Sequence, residues 1–174
     1  MCRCFDIVFW VCLLGATAAC APTFNWRELP IGATALTALF PCKPELVSRT
    51  LSLAQAQRTM VMRSCDTGGV TFAVAHADLP DPAQAPAVLA DWRASTLAGL
   101  HADPATVGSQ PPAGLPKLPQ LQVLRASRAG GDAPPLRLAG VWFARDRDVF
   151  AAFVMAPAIP DAAAEPFFAG LRLR

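Results

Sequence analysis

Short segments with the hydrophobic pattern of β-strands occupy most of the chain from residue 34 onward. They comprise residues 34–40, 47–53, 57–65, 69–78, 121–126, 136–144 and 149–156. Residues 47–53 alternate apolar and polar side chains, which predicts a strand with one exposed face. In residues 69–78, Val70, Phe72, Val74 and His76 fall on one face, and that face is the predicted core side.

One long helical pattern separates the fourth of these segments from the fifth. Over residues 83–100 apolar side chains recur at a spacing of three and four residues, and Asp81 precedes them as a predicted N-cap. Trp92 lies in the apolar stripe and is predicted to anchor this helix on the sheet. A second, short helix is predicted from Asp161 to Gly170. Strands and helices in this order predict an α+β fold.

The last strand segment differs from the others because it is apolar at every position from Val149 to Met155. A strand without alternation is expected to be covered on both faces, which predicts a central position in the sheet. The polar residues 145–147 form a tight turn that joins this strand to the preceding one in a hairpin. Phe153 is expected to meet Trp92 across the interface between helix and sheet.

Prolines mark the segments that are expected to be irregular. They concentrate in residues 102–119, which predicts an exposed loop. Pro22 and Pro30 interrupt residues 20–33, which we interpret as a tether. A chain of 174 residues is long enough for one domain with a hydrophobic core, and we assign that domain to residues 34–174.

The first nineteen residues have the pattern of a secretory signal, with Arg3 followed by an apolar run over residues 7–19. This run is shorter than the roughly 18 residues that a membrane-spanning helix needs. Thr17-Ala18-Ala19-Cys20 resembles a bacterial lipobox, in which the peptidase cuts before the cysteine and that cysteine carries the lipid. The resemblance implies a signal-peptide helix over residues 1–19, acylation of Cys20, and attachment to a membrane of the bacterial envelope facing the periplasm. Cleavage at a neighbouring alanine and a retained anchor are the alternatives.

Cys42 and Cys65 remain as an even pair once the signal segment is removed and Cys20 is acylated. In an oxidising compartment such a pair predicts a disulfide. Two unrelated buried thiols are one alternative. A metal site with His76 as a third ligand is another, although the short paired spacing typical of such sites is missing.

A Cys42–Cys65 bond restricts the arrangement of the strands that flank it. If both strands belonged to one sheet with another strand between them, the two cysteines would lie about 10 Å apart, which is too far for a disulfide. The strands at 34–40 and 57–65 are therefore expected to be direct neighbours, or the segment after Pro41 crosses the end of the sheet.

Candidate catalytic side chains are few. His76 and His101 are the only imidazoles, and His76 with Asp78 is the most enzyme-like pair, although two polar residues at a strand end also suit a solvated terminus. The chain has no glycine-rich phosphate loop, no Gly-x-Ser-x-Gly elbow and no His-Glu-x-x-His motif. The sequence therefore predicts no catalytic residue, no cofactor and no metal. A net charge of only +2, with both signs interspersed, argues against nucleic acid as a partner.

Over roughly residues 36–173, the sequence resembles small uncharacterised proteobacterial envelope proteins. The resemblance rests on Phe40-Pro41-Cys42-Lys43-Pro44, on Cys65 and on Phe167-Phe168-Ala169-Gly170-Leu171. Those proteins are similar to the PsbP-like fold, an α/β/α sandwich with an antiparallel sheet between helices. The resemblance implies a non-enzymatic binding or accessory module that docks an envelope protein or a small apolar ligand. An exposed hydrophobic patch would favour this hypothesis. The alternative is a small periplasmic hydrolase or thiol-redox protein that uses His76 or the cysteine pair.

Overall fold

The computed structural model describes residues 24–174, and within them nine strands, two α-helices and two short 3-10 helices form. The strands are β1 (Arg27–Pro30), β2 (Leu36–Phe40), β3 (Glu45–Leu53), β4 (Ala56–Thr67), β5 (Val70–Asp78), β6 (Gln122–Ser127), β7 (Arg137–Arg145), β8 (Asp148–Ala156) and β9 (Arg172–Leu173). The α-helices are α1 (Ala85–Leu100) and α2 (Asp161–Ala169). The predicted α+β class is confirmed. The predicted signal segment and Cys20 lie outside the described residues.

The strands form two antiparallel sheets. The large sheet has six strands in the order β3-β4-β5-β8-β7-β6, and the small sheet has three in the order β1-β2-β9. As predicted, β8 is central, and it is joined to β7 by a two-residue turn in which Asp146 has a positive φ. The strands of the large sheet follow one another as hairpins, except where β5 leads into α1.

The small sheet and α2 cover one face of the large sheet. Phe72 of β5 and Phe167 of α2 pack edge to face with their ring centroids 5.4 Å apart, and Phe40 of β2 also packs edge to face with Phe167, at 6.0 Å. All three rings are fully buried. Gly170 allows this contact, because a Cβ there would overlap the Cβ of Leu39 on β2.

Helix α1 covers part of the opposite face. Its apolar stripe buries Val88, Leu89 and Trp92 against the sheet, and Trp92 is 5% exposed. Arg93 Nε donates a hydrogen bond to the carbonyl oxygen of Val123 on β6, at 3.2 Å. The helix contacts β6 and β7, and also β3 and β8, so it crosses the strands from one edge of the sheet to the other.

Two predictions about the amino-terminal part of the domain are wrong. Strand β1 lies within the predicted tether, where Leu29 pairs with Ala38 of β2 and Ile31 is buried. Pro30 does not prevent this strand, because it is the last residue of an edge strand. In addition, β2 belongs to the small sheet, whereas it was expected to share a sheet with residues 57–65.

The disulfide between Cys42 and Cys65 is present, with the two Cα atoms 6.0 Å apart. Because β2 and β4 lie in different sheets, the bond joins the two sheets to each other. It does not connect two strands within one sheet. The segment after Pro41 passes from the small sheet to β3, the edge strand of the large sheet. The alternative metal site is not formed, since the two sulfur atoms are bonded to each other.

The hairpin of β3 and β4 is fixed at both ends. The disulfide lies at its open end, where Glu45 pairs with Ser64. At its tip, Ala54 and Gln55 both have positive φ, and the backbone N–H of Ala54 donates to Asp91 Oδ2 of α1 at 2.8 Å. The tip is thereby held against the helix, and its buried apolar residues join the core beneath α1.

Replacing both cysteines, Cys42→Ala with Cys65→Ala, is expected to lower the free energy of unfolding by roughly 3 kcal/mol while the fold is kept. The reason is that the bond closes a segment with a sequence separation of 23 residues and so restricts the unfolded chain. Denaturant unfolding measures the loss, and reduction of the parent protein should give the same loss. Equal unfolding midpoints for oxidised parent and double variant would contradict this role.

Candidate apolar binding groove

A groove opens beside α1 on the face of the large sheet that this helix only partly covers. It has a volume of about 270 Å³ and is lined mainly by apolar side chains. Its lining comes from β4, β7, β8, α1, the residue that follows β6 and the residue that precedes β7. The groove exists because α1 crosses the strands and covers only part of this face, so that Met62 of β4 and Phe153 and Met155 of β8 remain partly exposed.

Three methionines line this groove, namely Met60 and Met62 of β4 and Met155 of β8. The only other methionine of the chain is Met1, so every methionine of the described residues lies here. Met60 and Met62 share a face because side chains two apart on a strand point the same way. An unbranched thioether side chain adapts its shape to irregular apolar partners.

Aromatic and small residues complete the walls. Phe153 of β8 and Trp92 of α1 line the groove, and Gly99 lines it closer to the carboxyl end of α1. A Cβ placed on Gly99 would meet no atom within 4 Å. The helix therefore leaves open space at this position that a larger side chain would fill.

Of the described residues that line the groove, Arg128 is the only charged one. Its Nη1 donates to the carbonyl oxygen of Pro134 at 2.9 Å, and its own backbone N–H donates to Leu136, whose side chain also lines the groove. Within residues 24–174 no carboxylate forms an ion pair with Arg128. The groove thus combines an apolar body with one positive charge that has no acidic partner in the described chain.

The groove corrects one prediction made from the sequence. Residues 149–155 were expected to be shielded on both faces, but Phe153 and Met155 are partly exposed on the α1 side. Phe153 does belong to the same apolar cluster as Trp92, as predicted.

The methionines and Arg128 were not predicted from the sequence as site residues. The Met-Val-Met alternation at 60–62 was the available signal, since it placed two methionines on one face of a strand.

A second depression, of about 380 Å³, lies at the carboxyl end of α1 and is larger but less suited to binding. His101, Pro104 and Val107 line it, and all three are exposed. His101 ends α1 in a left-handed conformation with φ 50°, so its position is set by the helix terminus. This depression has no buried apolar wall, and we therefore regard the groove as the candidate site.

His76 makes a different contact from the one expected. Its Nε2 lies 2.7 Å from Asp148 Oδ1, and its ring packs on Phe150 with centroids 5.2 Å apart. Asp78 pairs instead with Arg147, at 3.1 Å. In the described chain, Asp148 is the one hydrogen-bond partner of the His76 side chain. These contacts hold the ring at a strand end and supply two of the three groups that a hydrolytic triad uses.

Comparisons of this chain with protein-family models, with curated proteins and with solved structures find no match. Among residues 24–174, no group of three or more histidine, cysteine, aspartate or glutamate side chains is arranged to hold a metal ion. Neither helix of that part is long and apolar enough to cross a membrane.

Truncation of the two aromatic residues of the groove is expected to have unequal effects on stability. Trp92→Ala removes a buried side chain and should lower the free energy of unfolding by roughly 3 to 5 kcal/mol. Phe153→Ala removes a partly exposed side chain and should lower the free energy of unfolding by about 2 kcal/mol, because part of the Phe153 surface is already in contact with water. Urea unfolding of both variants measures the difference. Equal losses would mean that the groove is closed in solution.

Proposed function

We propose that this protein is a lipid-anchored bacterial envelope protein that acts as a non-enzymatic binding module with a PsbP-like arrangement of sheet and helices. Its binding site is the groove beside α1, and its ligand is a small molecule or protein segment with an apolar group. The observation that carries the proposal is the gathering of Met60, Met62 and Met155 with Phe153 and Trp92 around one opening.

The lining has the composition of binding sites for apolar groups. Such sites are concave, mostly apolar, and contain few polar groups that orient the ligand. Here one arginine and Thr96 supply the polar groups, and the remaining lining is aliphatic, aromatic or thioether. A ligand that covers Phe153 and Met155 removes their exposed apolar surface from water, which contributes about 25 cal/mol per Å² buried.

The cysteine pair supports a location in an oxidising compartment, because disulfides persist in secreted and periplasmic proteins. The position of the described chain relative to Cys20 supports the anchor. Phe24 packs on Trp26 and Phe72, with centroids 5.7 and 6.2 Å away. Cys20 precedes Phe24 by four residues, which span at most about 14 Å. An acylated Cys20 would hold this end of the sheet near a membrane surface.

Two observations bear on the alternative of a hydrolase or thiol-redox protein. Cys65 is only 6% exposed and belongs to the core cluster, so thiol exchange would have to begin at the partly buried Cys42. His76 has its carboxylate partner in Asp148, which is the feature that favours a hydrolase. We rank binding first because the groove offers space for a ligand, and hydrolysis by this pair requires a nucleophile in addition.

Filling the groove is the test of the proposed site. Gly99→Leu is expected to lower the affinity for the neutral apolar dye N-phenyl-1-naphthylamine at least tenfold, because the new side chain occupies the open space at this position. The fold should be kept, since replacing a helical glycine by leucine favours the helix by roughly 0.5 to 1 kcal/mol. Dye fluorescence and thermal melting are measured on the same samples.

Ala94→Leu is the matched control, because Ala94 is exposed on the same helix and does not line the groove. It should bind the dye like the parent protein. The cysteine double variant should also bind like the parent, as Cys65 lies in the cluster on the opposite face of the sheet. Unchanged dye binding by Gly99→Leu would remove the groove as the site.

The anchor has its own test. Cys20→Ser should release the protein into the soluble envelope fraction or block its processing, because the acyl chains attach to this sulfur atom. Fractionation with mass spectrometry of the amino terminus measures both results. Unchanged membrane attachment with an uncut amino terminus would show a retained anchor in place of a lipid.

A further inference from the structure

We propose that the ligand of the groove is a single-chain fatty carboxylate whose alkyl chain lies among the methionines and whose carboxylate is bound by Arg128. The proposal rests on the function proposed above and specifies the chemistry of the ligand. It commits to the free acid, and a membrane phospholipid is treated as an outcome of the test.

The charge of the site selects the head group. Among the described lining residues Arg128 is the one charged side chain, and no carboxylate of residues 24–174 forms an ion pair with it. Its Nη1 is held by the carbonyl oxygen of Pro134, which fixes the guanidinium while Nε and Nη2 form no hydrogen bond with the described protein atoms. A guanidinium with two free donor nitrogens matches the two oxygens of a carboxylate.

The size of the groove selects the tail. A volume of about 270 Å³ lies just below the range of roughly 300 to 1,000 Å³ that drug-sized ligands occupy. This space suits one alkyl chain and is small for the two chains of a phospholipid. The lining offers the alkyl chain unbranched, flexible thioethers from Met60, Met62 and Met155, which adapt to a chain with many conformers.

The place of the groove in the fold also favours a ligand that comes from a membrane. Met155 pairs with Thr71 of β5 in the large sheet, next to the pair of Val154 and Phe72. On the other face, Phe24 and Trp26 pack on Phe72. The groove and the point where the described chain begins are therefore at the same end of the sheet, and the proposed anchor would keep that end near a lipid surface.

The test compares decanoate with 1-decanol, which have the same number of carbon atoms and differ in the charge of the head group. Binding is measured by displacement of N-phenyl-1-naphthylamine from the full chain carrying Cys20→Ser, so that no acyl group is attached to the protein. Decanoate should bind about tenfold more tightly than 1-decanol, the ratio expected of one charge-assisted hydrogen bond worth about 1.4 kcal/mol.

Arg128→Gln should reduce this ratio to about one without changing the affinity for 1-decanol, whereas Arg128→Lys should keep most of it. Arg137→Gln is the matched control, because Arg137 is exposed nearby on β7, lies outside the groove, and carries the same charge. It should leave the ratio unchanged. A ratio near one in the parent protein, or a ratio that survives Arg128→Gln, would overturn the proposal.

A further experiment distinguishes a free fatty acid from a membrane phospholipid as the ligand. Vesicles of phosphatidylglycerol should displace less dye than monomeric decanoate at equal anion concentration, and displacement by vesicles alone would overturn the choice of a free acid. If 1-decanol and the dye both fail to bind, the groove itself is not a site and the proposed function fails. If both bind without any preference for decanoate, the groove stands and only the carboxylate ligand is wrong.

Discussion

The structure depends on the need to cover both faces of a six-stranded sheet whose central strand is apolar throughout. The small sheet and α2 together cover one face, where the buried phenylalanine rings pack. Among the helices and strands of residues 24–174, α1 is the one that covers the other face. A helix with its side chains is about 10 to 12 Å wide, whereas the nine residues of β8 extend over about 30 Å. Because α1 crosses the strands, from the tip of the β3–β4 hairpin to β6, it cannot shield their whole length, and the groove is the part of the face that it leaves uncovered.

The two sheets are held in register by contacts that are far apart in sequence. The disulfide joins the segment after β2 to β4, and Gly170 permits α2 to lie directly on β2. Asp91 fixes the tip of the β3–β4 hairpin to α1. These contacts define where each covering element lies, and so they also define the width of the opening between α1 and the methionines of β4.

The hydrophobic periodicity of the sequence was sufficient to predict the strands and helices. It was insufficient to predict which strand or helix packs against which. A period of two residues shows which side chains share a face of a strand, and it placed Val70, Phe72 and Val74 together correctly. It does not show which element covers that face. For this reason β2 was assigned to the wrong sheet and Phe153 was expected to be shielded. The disulfide was predictable from the cysteine count. Arg128 was not predictable as a site residue, because its position beside the groove depends on the pairing of β6 with β7.

The small sheet has a consequence for how the chain folds. Its middle strand, β2, pairs with β1 near the start of the described chain and with β9 at the end. Contacts between such distant segments form late, because a long loop must close before they add stability. The strand β9 can pair with β2 only after residues 172–173 have been synthesised. Until then, the aromatic face beneath the small sheet lacks part of its cover and is open to other apolar chains.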